Sequence, residues 1–244
     1  MAVTSPRIVV YTCITGGYDE IKQPRSVEGA IEYVCFTDQP PSQPGAWHIR
    51  SLPRDFSNDA VNSRFVKMHP HVLFPEHEFS IYIDGTMEIL GDLLPLAQSV
   101  MAASSFAAYQ HSFRSCTYAE AAECAALGYD WPWRIGAQMT RYREQGFPEN
   151  AGLFEANILF RSHHDARVKR LMEEWWHEYR GGVRRDQLSL VFAAWQHGLQ
   201  IHNLGVSDPR VTQRHFRIQL SHKRPKALAA VVRRQAYKLF QLAK

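Results

Sequence analysis

The stretch Glu78-Phe79-Ser80-Ile81-Tyr82-Ile83-Asp84-Gly85-Thr86 decides how the chain is read. Phe79, Ile81 and Ile83 alternate with Ser80 and Tyr82, and aromatic and β-branched side chains favour a pleated backbone, so the segment predicts a strand. Asp84-Gly85 ends it. A strand that stops on Asp-Gly admits two readings. One is a plain turn, for which Asp-Gly is a common pair. The other is a carboxylate set at the carboxyl edge of a sheet, where open α/β sheets take their ligands.

Outward from this stretch, short apolar runs alternate with helical ones. Strands are predicted at 8–14, 31–36, 47–52, 106–110, 153–161 and 201–204. Helices are predicted at 58–72, 92–103, 118–127, 135–145, 167–179 and 188–196. Asn58 or Asp59 can cap the first helix, and Trp175 and Trp176 fit a core stripe better than a sugar platform. Such alternation predicts an α/β fold with a mainly parallel sheet flanked by helices. The chain has 244 residues, 45% hydrophobic and 21% charged, which is ample for one sizeable core and excludes a disordered chain. No run of about 18 apolar residues predicts a spanning helix, and no signal-peptide pattern opens the sequence. Cys13, Cys35, Cys116 and Cys124 lack the paired spacing of a zinc site. Reduced thiols in a cytosol are the expectation.

Charge is unevenly spread. From Pro209 onward there are ten basic residues and no acidic one; removing these ten from 28 leaves 18 basic against 24 acidic residues in the rest. A basic segment on an acidic body points to an anionic partner. Leu228, Val231, Val232, Gln235, Leu239 and Leu242 fall on one helical stripe, with Arg233, Arg234 and Lys238 around it. Two readings fit this helix: docking on the body, or lying on an acidic membrane surface. The predicted division is a domain over 1–222 and a basic amphipathic helix over 223–244. Nucleic acid is not expected as a partner, because the basic segment lacks the interleaved aromatics that stack bases.

Other candidate groups stand at element ends. Gly16-Gly17 follows the first strand, where glycines let a backbone approach a ligand closely, although the third glycine of a dinucleotide fingerprint is missing. Asp38 closes the second strand, and Arg64 and Lys67 share one side of the first helix. Asp186 precedes the 188–196 helix, where it can act as an N-cap.

Six strings in order carry a resemblance: Val9 to Asp19, Cys35 to Asp38, Arg64 to Pro75, Ser80 to Gly85, His111 to Glu120, and Arg185 to Ser189. Together they resemble a glycosyltransferase-like family of plant mucilage and turgor-regulation proteins with many bacterial members. That family is similar to the GT-A nucleotide-sugar transferases, retaining enzymes in particular. The resemblance implies a GT-A-like, Rossmann-like fold and transfer of a sugar from a nucleotide-sugar donor, a UDP-sugar, to a glycan or lipid-linked acceptor such as a bacterial surface polymer. It implies that Thr12, Gly16, Gly17 and Tyr18 form the nucleotide-facing loop, that Asp38 faces the base or ribose, and that Arg64 and Lys67 approach the phosphates. The same resemblance implies that Asp84 and Gly85 meet the diphosphate, that Asn157 meets sugar hydroxyls, and that Asp186 and Gln187 lie beneath the sugar, where a carboxylate or amide stabilises positive charge at the anomeric carbon. GT-A enzymes usually hold Mn²⁺ or Mg²⁺ through Asp-x-Asp; here Asp84-Gly85-Thr86 lacks the second carboxylate, and His222, with His202 as competitor, is the implied further ligand. The expected setting is cytoplasmic, at the inner membrane face through the basic segment. The missing carboxylate also motivates a second reading, a nucleotide- or sugar-binding module without catalysis.

Overall fold

The computed structural model describes residues 7–220 and 228–242. Its centre is a seven-stranded sheet. The strands are β1 (Ile8–Ile14), β2 (Ile31–Thr37), β3 (His48–Arg50), β4 (Phe79–Ile83), β6 (Phe106–Gln110), β7 (Phe154–Arg161) and β8 (His202–Val206), in the order β3-β2-β1-β4-β7-β6-β8. All neighbours pair in parallel except β7, which runs antiparallel to both β4 and β6. A small second sheet pairs β5 (Met87–Ile89) with β9 (Phe216–Ile218), two strands the sequence pattern does not announce.

Both faces of the main sheet are covered, which is why its central strands read as continuous apolar runs. All seven residues of β1 are buried. On one face Val9, Tyr11 and Cys13 pack with α1 (Asp59–Met68) and α6 (Ala166–Gly181) through Val61, Val66 and Trp175. On the other, Ile8, Val10 and Ile14 share a core with Ala97 and Val100 of α3 (Leu94–Ala103) and with the small sheet. A third cluster joins α4 (Thr117–Ala126), α5 (Pro132–Glu144) and α7 (Gln187–Gln196) through Cys124, Tyr142, Leu188 and Phe192. Trp175 is fully buried, as a core residue should be, and all four cysteines are buried free thiols.

The helix expected over 58–72 is two. Asn58 caps α1, its side chain accepting from the Val61 amide at 3.0 Å. Pro70 then forces a break, because a residue before proline is pushed out of the α region. His69 sits at φ −122°, and a one-turn α2 (Pro70–Leu73) follows. The carbonyl of Lys67, near the end of α1, accepts from Arg161 Nη1 at 2.7 Å and from Tyr11 Oη at 3.0 Å. That buried cation at a helix C-terminus fixes where Lys67 stands. Helix α8 (Leu228–Leu242) packs on α4 and α5.

Candidate active site

Because β1, β2 and β4 are parallel, the residues that follow them, Thr15, Asp38 and Asp84, lie along one edge of the sheet. Antiparallel β7 reaches the same edge. Ile83 pairs with Ile158, so Asn157 stands beside Asp84, whose amide donates to the Asn157 carbonyl at 2.8 Å. A cleft of about 380 Å³ opens there, lined among others by Ile14, Gly16, Tyr18, Asp59, Arg64, Asp84, Gly85 and Thr86. A second cavity, about 120 Å³, is lined by Lys67, His111, Glu155, Asn157, Asp186, Gln187 and Arg210. Arg185 belongs to the walls of both. A larger, shallow hollow of about 630 Å³ lies on the outside of α6, away from every strand end, and gathers none of these groups.

Charged side chains knit the two cavities together. Lys67 Nζ lies 2.5 Å from Asp186 Oδ2 and 3.5 Å from Asp84 Oδ1, and Arg64 Nε lies 2.9 Å from the same Asp186 oxygen. The Lys67 side chain is 1% exposed and its ammonium faces the rings of Tyr82 and Trp175. Burial, the largest single influence on Asp186, favours its neutral acid. The Arg64 guanidinium, the Lys67 ammonium and the Arg185 guanidinium together outweigh it and hold the carboxyl well below the usual carboxylate range. Asp186 stands where an N-cap of α7 would be, yet its side chain makes no capping hydrogen bond. Its carbonyl does local work instead, accepting from Trp175 Nε1 at 2.8 Å and from Ser189 Oγ at 3.2 Å. The capping reading of Asp186 therefore gives way to an ion-paired carboxylate.

The turn after β1 is built for close approach. Gly16 has φ +60°, and a Cβ there would stand 2.2 Å from Asp59 Oδ2 at the start of α1. Its amide donates to both carboxylate oxygens of Asp38, at 3.1 and 3.0 Å. Asp38 thus anchors the loop from an exposed position and does not line the cleft. Gly17 also lies outside the lining, beside Gln39. Thr12 is buried within β1 and reaches neither cavity.

The remaining expected residues divide. Gln187 lines the second cavity, but its amide is already engaged, donating to the Phe154 carbonyl at 3.1 Å and accepting from Arg185 at 3.2 Å. Asn157 donates to Glu155 at 2.8 Å, while its Oδ1 is buried without a hydrogen-bond partner among the described residues. That oxygen is an acceptor available to a hydroxyl. Glu155, Arg185 and Arg210 were given no role by the sequence pattern. Buried Glu155 accepts from Ser207 at 2.8 Å and from Arg210 at 2.9 Å. The signal for Glu155 was faint: a lone acid inside a strand whose flanks are apolar.

For a divalent cation the donor set is short. The Asp84 carboxylate accepts from Tyr82 Oη at 3.0 Å and faces Lys67. Among the described residues no three His, Cys, Asp or Glu side chains stand close enough to hold a metal. His222 lies outside the described residues, and His202, exposed at the start of β8, lines neither cavity. The described residues therefore do not by themselves fit Mn²⁺ or Mg²⁺.

Comparison with known proteins narrows the class. Over 213 residues the chain is 24% identical to the probable hexosyltransferase MUCI70 of Arabidopsis thaliana, covering 75% of this chain and 36% of that protein, so it spans about a third of its relative's length. Among solved structures it is similar to the glycosyltransferase GlyE of Streptococcus pneumoniae, with TM-score 0.45, 13% identity, and 85% of this chain and 47% of that one covered. It is also similar to the bifunctional glycosyltransferase WbbM, with TM-score 0.45, 12% identity, and coverage of 83% and 39%. The profile of the TOD1/MUCI70 glycosyltransferase-like domain matches residues 37–204. That span takes in α1, β4, β7 and α7, the elements that carry Arg64, Lys67, Asn157 and Gln187 and that Asp84 and Asp186 adjoin. The fold is the α/β one expected, a mainly parallel sheet flanked by helices, and the chain belongs to the TOD1/MUCI70 glycosyltransferase-like family.

Proposed function

We propose that the chain transfers a sugar from a nucleotide-sugar donor to a hydroxyl of a glycan or lipid-linked acceptor, with the Arg64–Asp186–Lys67–Asp84 junction as its reaction centre. The observation that carries this is Asp186, a buried carboxylate clamped by two cations between two cavities at the ligand-binding edge of the sheet. A uridine diphosphate leaving group and retention at the anomeric carbon are inferred from the resemblance to retaining GT-A transferases.

In this reading the nucleotide lies in the larger cleft against Gly16 and Tyr18, and the sugar reaches toward Asn157 and Asp186. The bond from the anomeric carbon to the diphosphate oxygen breaks, a bond to the acceptor oxygen forms, and the acceptor's proton leaves with the diphosphate. Three cations, Arg64, Lys67 and Arg185, stand against the two carboxylates Asp84 and Asp186. Arg64 and Arg185 thus stand at the cleft where the leaving group becomes more negative, beside the carboxylates of Asp19, Asp59 and Asp84 that line it too. Asp186, held far below the usual carboxylate range, is a poor proton acceptor. Its role is to stabilise the cationic sugar electrostatically. No step here passes through a metal.

The test is turnover across a panel of nucleotide sugars, with and without acceptors, in the wild type and in Asp186→Asn. The variant should lose about 10²–10³ in kcat, the scale for removing one preorganised electrostatic group, with little change in donor Kd. Full turnover by Asp186→Asn removes it from the centre. Donor binding by the wild type without turnover on any donor–acceptor pair replaces the transferase reading with a binding module.

A further inference from the structure

We propose that the outward face of α8 seats on an anionic lipid bilayer. The inference is independent of the transfer reaction and rests on how this helix docks. Among the described side chains of its apolar stripe Val231, Val232 and Leu239 are 42%, 49% and 68% exposed, whereas Ala230, Arg233, Arg234 and Tyr237 meet the body. Arg233 donates to the Tyr129 carbonyl at 3.2 Å and Arg234 to the Leu127 carbonyl at 3.0 Å. Tyr237 packs against the α4–α5–α7 cluster. Gly128, at φ +70°, lets the helix in: a Cβ there would stand 2.5 Å from the Ala230 carbonyl oxygen.

With that side engaged, helical geometry turns Val232, Gln235 and Leu239 away from the body and leaves Val231 on the flank. Val232 is 49% exposed and Leu239 68%. A single exposed leucine means nothing, but here branched apolar residues share one helical face bordered by exposed Lys238. Beside it Trp133, 50% exposed, stacks on Trp131, and the Arg233 guanidinium lies over the Trp131 ring. A narrow apolar stripe with flanking cations and half-exposed aromatics is the pattern of a helix lying in a lipid headgroup region.

Charge and area select this occupant. From Pro209 onward the chain carries ten cations and no carboxylate side chain; Arg210 and Arg217 pair with Glu155 and Glu88 of the body, and the others include Lys238 on this helix. Cations beside a bilayer are drawn to acidic headgroups by about 1 kcal/mol each. A second copy of the chain is disfavoured by size. A helix of 15 residues presents a face roughly 22 Å long and 10 Å wide, on the order of 200 Å², against about 800 Å² per partner in a stable dimer.

The experiment is co-sedimentation of the full chain with phosphatidylcholine vesicles, with and without phosphatidylglycerol, alongside Val232→Glu and Leu239→Glu. Both positions point away from the body, so thermal unfolding should be unchanged and serves as the control for folding. The wild type should bind only the anionic vesicles, more weakly as salt rises, and each variant should bind about tenfold less or worse, the scale of losing one buried apolar side chain and adding repulsion. Absence of binding to anionic vesicles overturns the proposal, as does binding that both variants retain. A dimer in sedimentation equilibrium that Leu239→Glu dissolves would assign the face to a second copy instead. Salt-sensitive binding to a DNA duplex, unaltered in Leu239→Glu and stronger than binding to vesicles, would assign the charge to nucleic acid.

Discussion

Replacing Lys67 by Met tests the junction most directly. The substitution keeps most of the side chain's length, so little cavity opens between Tyr82 and Trp175. What it removes is a charge 2.5 Å from Asp186 and 3.5 Å from Asp84. At an effective dielectric of about 20 those attractions amount to roughly 5–7 kcal/mol each, before the cost of desolvating the three groups is subtracted. Removing one member of a buried pair typically costs about 3–5 kcal/mol, because the other charge is left buried without compensation. Arg64 remains 2.9 Å from Asp186 and compensates part of its charge, so the cost falls to the lower end or below it. We predict about 2–3 kcal/mol of lost stability in urea denaturation at pH 7.

The pH dependence carries the same information. Asp186 is depressed in the folded state, so the stability it contributes is present above its unfolded pKa of about 4 and is lost as pH falls toward its folded value. Without Lys67 the depression is smaller, and the gap between wild type and variant should narrow as the solution is acidified below about pH 4. Combining Lys67→Met with Asp186→Asn removes both charges, and the double variant should be more stable than the two single losses sum to, by about 1–3 kcal/mol. If Lys67→Met lies within about 1 kcal/mol of the wild type and shows no coupling to Asp186→Asn, the buried junction is not the energetic unit described.

Two further predictions concern the loop and the opposite end of β7. Gly16→Ala should cost about 1–2 kcal/mol and weaken donor binding, since alanine is strained at φ +60° and its Cβ would collide with the Asp59 carboxylate; equal donor Kd in calorimetry would remove this loop from the nucleotide site. His163 is buried and hydrogen-bonds through Nε2 to the Phe74 carbonyl at 3.1 Å. Burial lowers its pKa from 6.5 to about 3. The unfolded chain therefore takes up the proton first on acidification. The stability due to neutral His163 is complete above pH 6.5 and declines as pH falls from 6.5 toward 3, on the order of 3–5 kcal/mol over that window. His163→Gln should flatten the stability profile between pH 6 and 4, measured by denaturant midpoint; an unchanged slope would assign the acid sensitivity elsewhere.

What the sequence disclosed is what lies close along the chain. Alternation over 79–83 announced β4, and Asp-Gly after it placed Asp84 at a strand end. Parallel β1, β2 and β4 then made three separate strand ends into one edge. The orientation of β7 was not legible, because a strand buried on both faces has the same apolar pattern in either direction. Yet that orientation is what sets Asn157 beside Asp84. The junction was hidden for a similar reason: Lys67 and Asp186 are 119 residues apart, and each alone is a common surface residue type. Only burial turns them into a site. Sequence spacing suggested Arg64 and Lys67 as a pair; the fold gives them a shared carboxylate.

The two ambiguous carboxylates resolve in opposite directions from their simplest local readings. Asp186 precedes a helix but leaves its capping position unused, because two cations and burial offer more than one N-terminal amide can. Asp38 looked like a ligand-facing acid at a strand end, and its oxygens instead hold the Gly16 amide. The difference is solvent. Asp38 is exposed, so a backbone amide is partner enough. Asp186 is buried, and a buried carboxylate is stable only where cations surround it. A chain that keeps two cations inside to hold one carboxylate accepts a desolvation cost that an apolar trio would avoid. That cost has a return if the charge is needed at the spot, as the proposed transfer through a cationic sugar requires. The stability loss in Lys67→Met and the turnover loss in Asp186→Asn therefore report on one arrangement, and both must appear for it to stand.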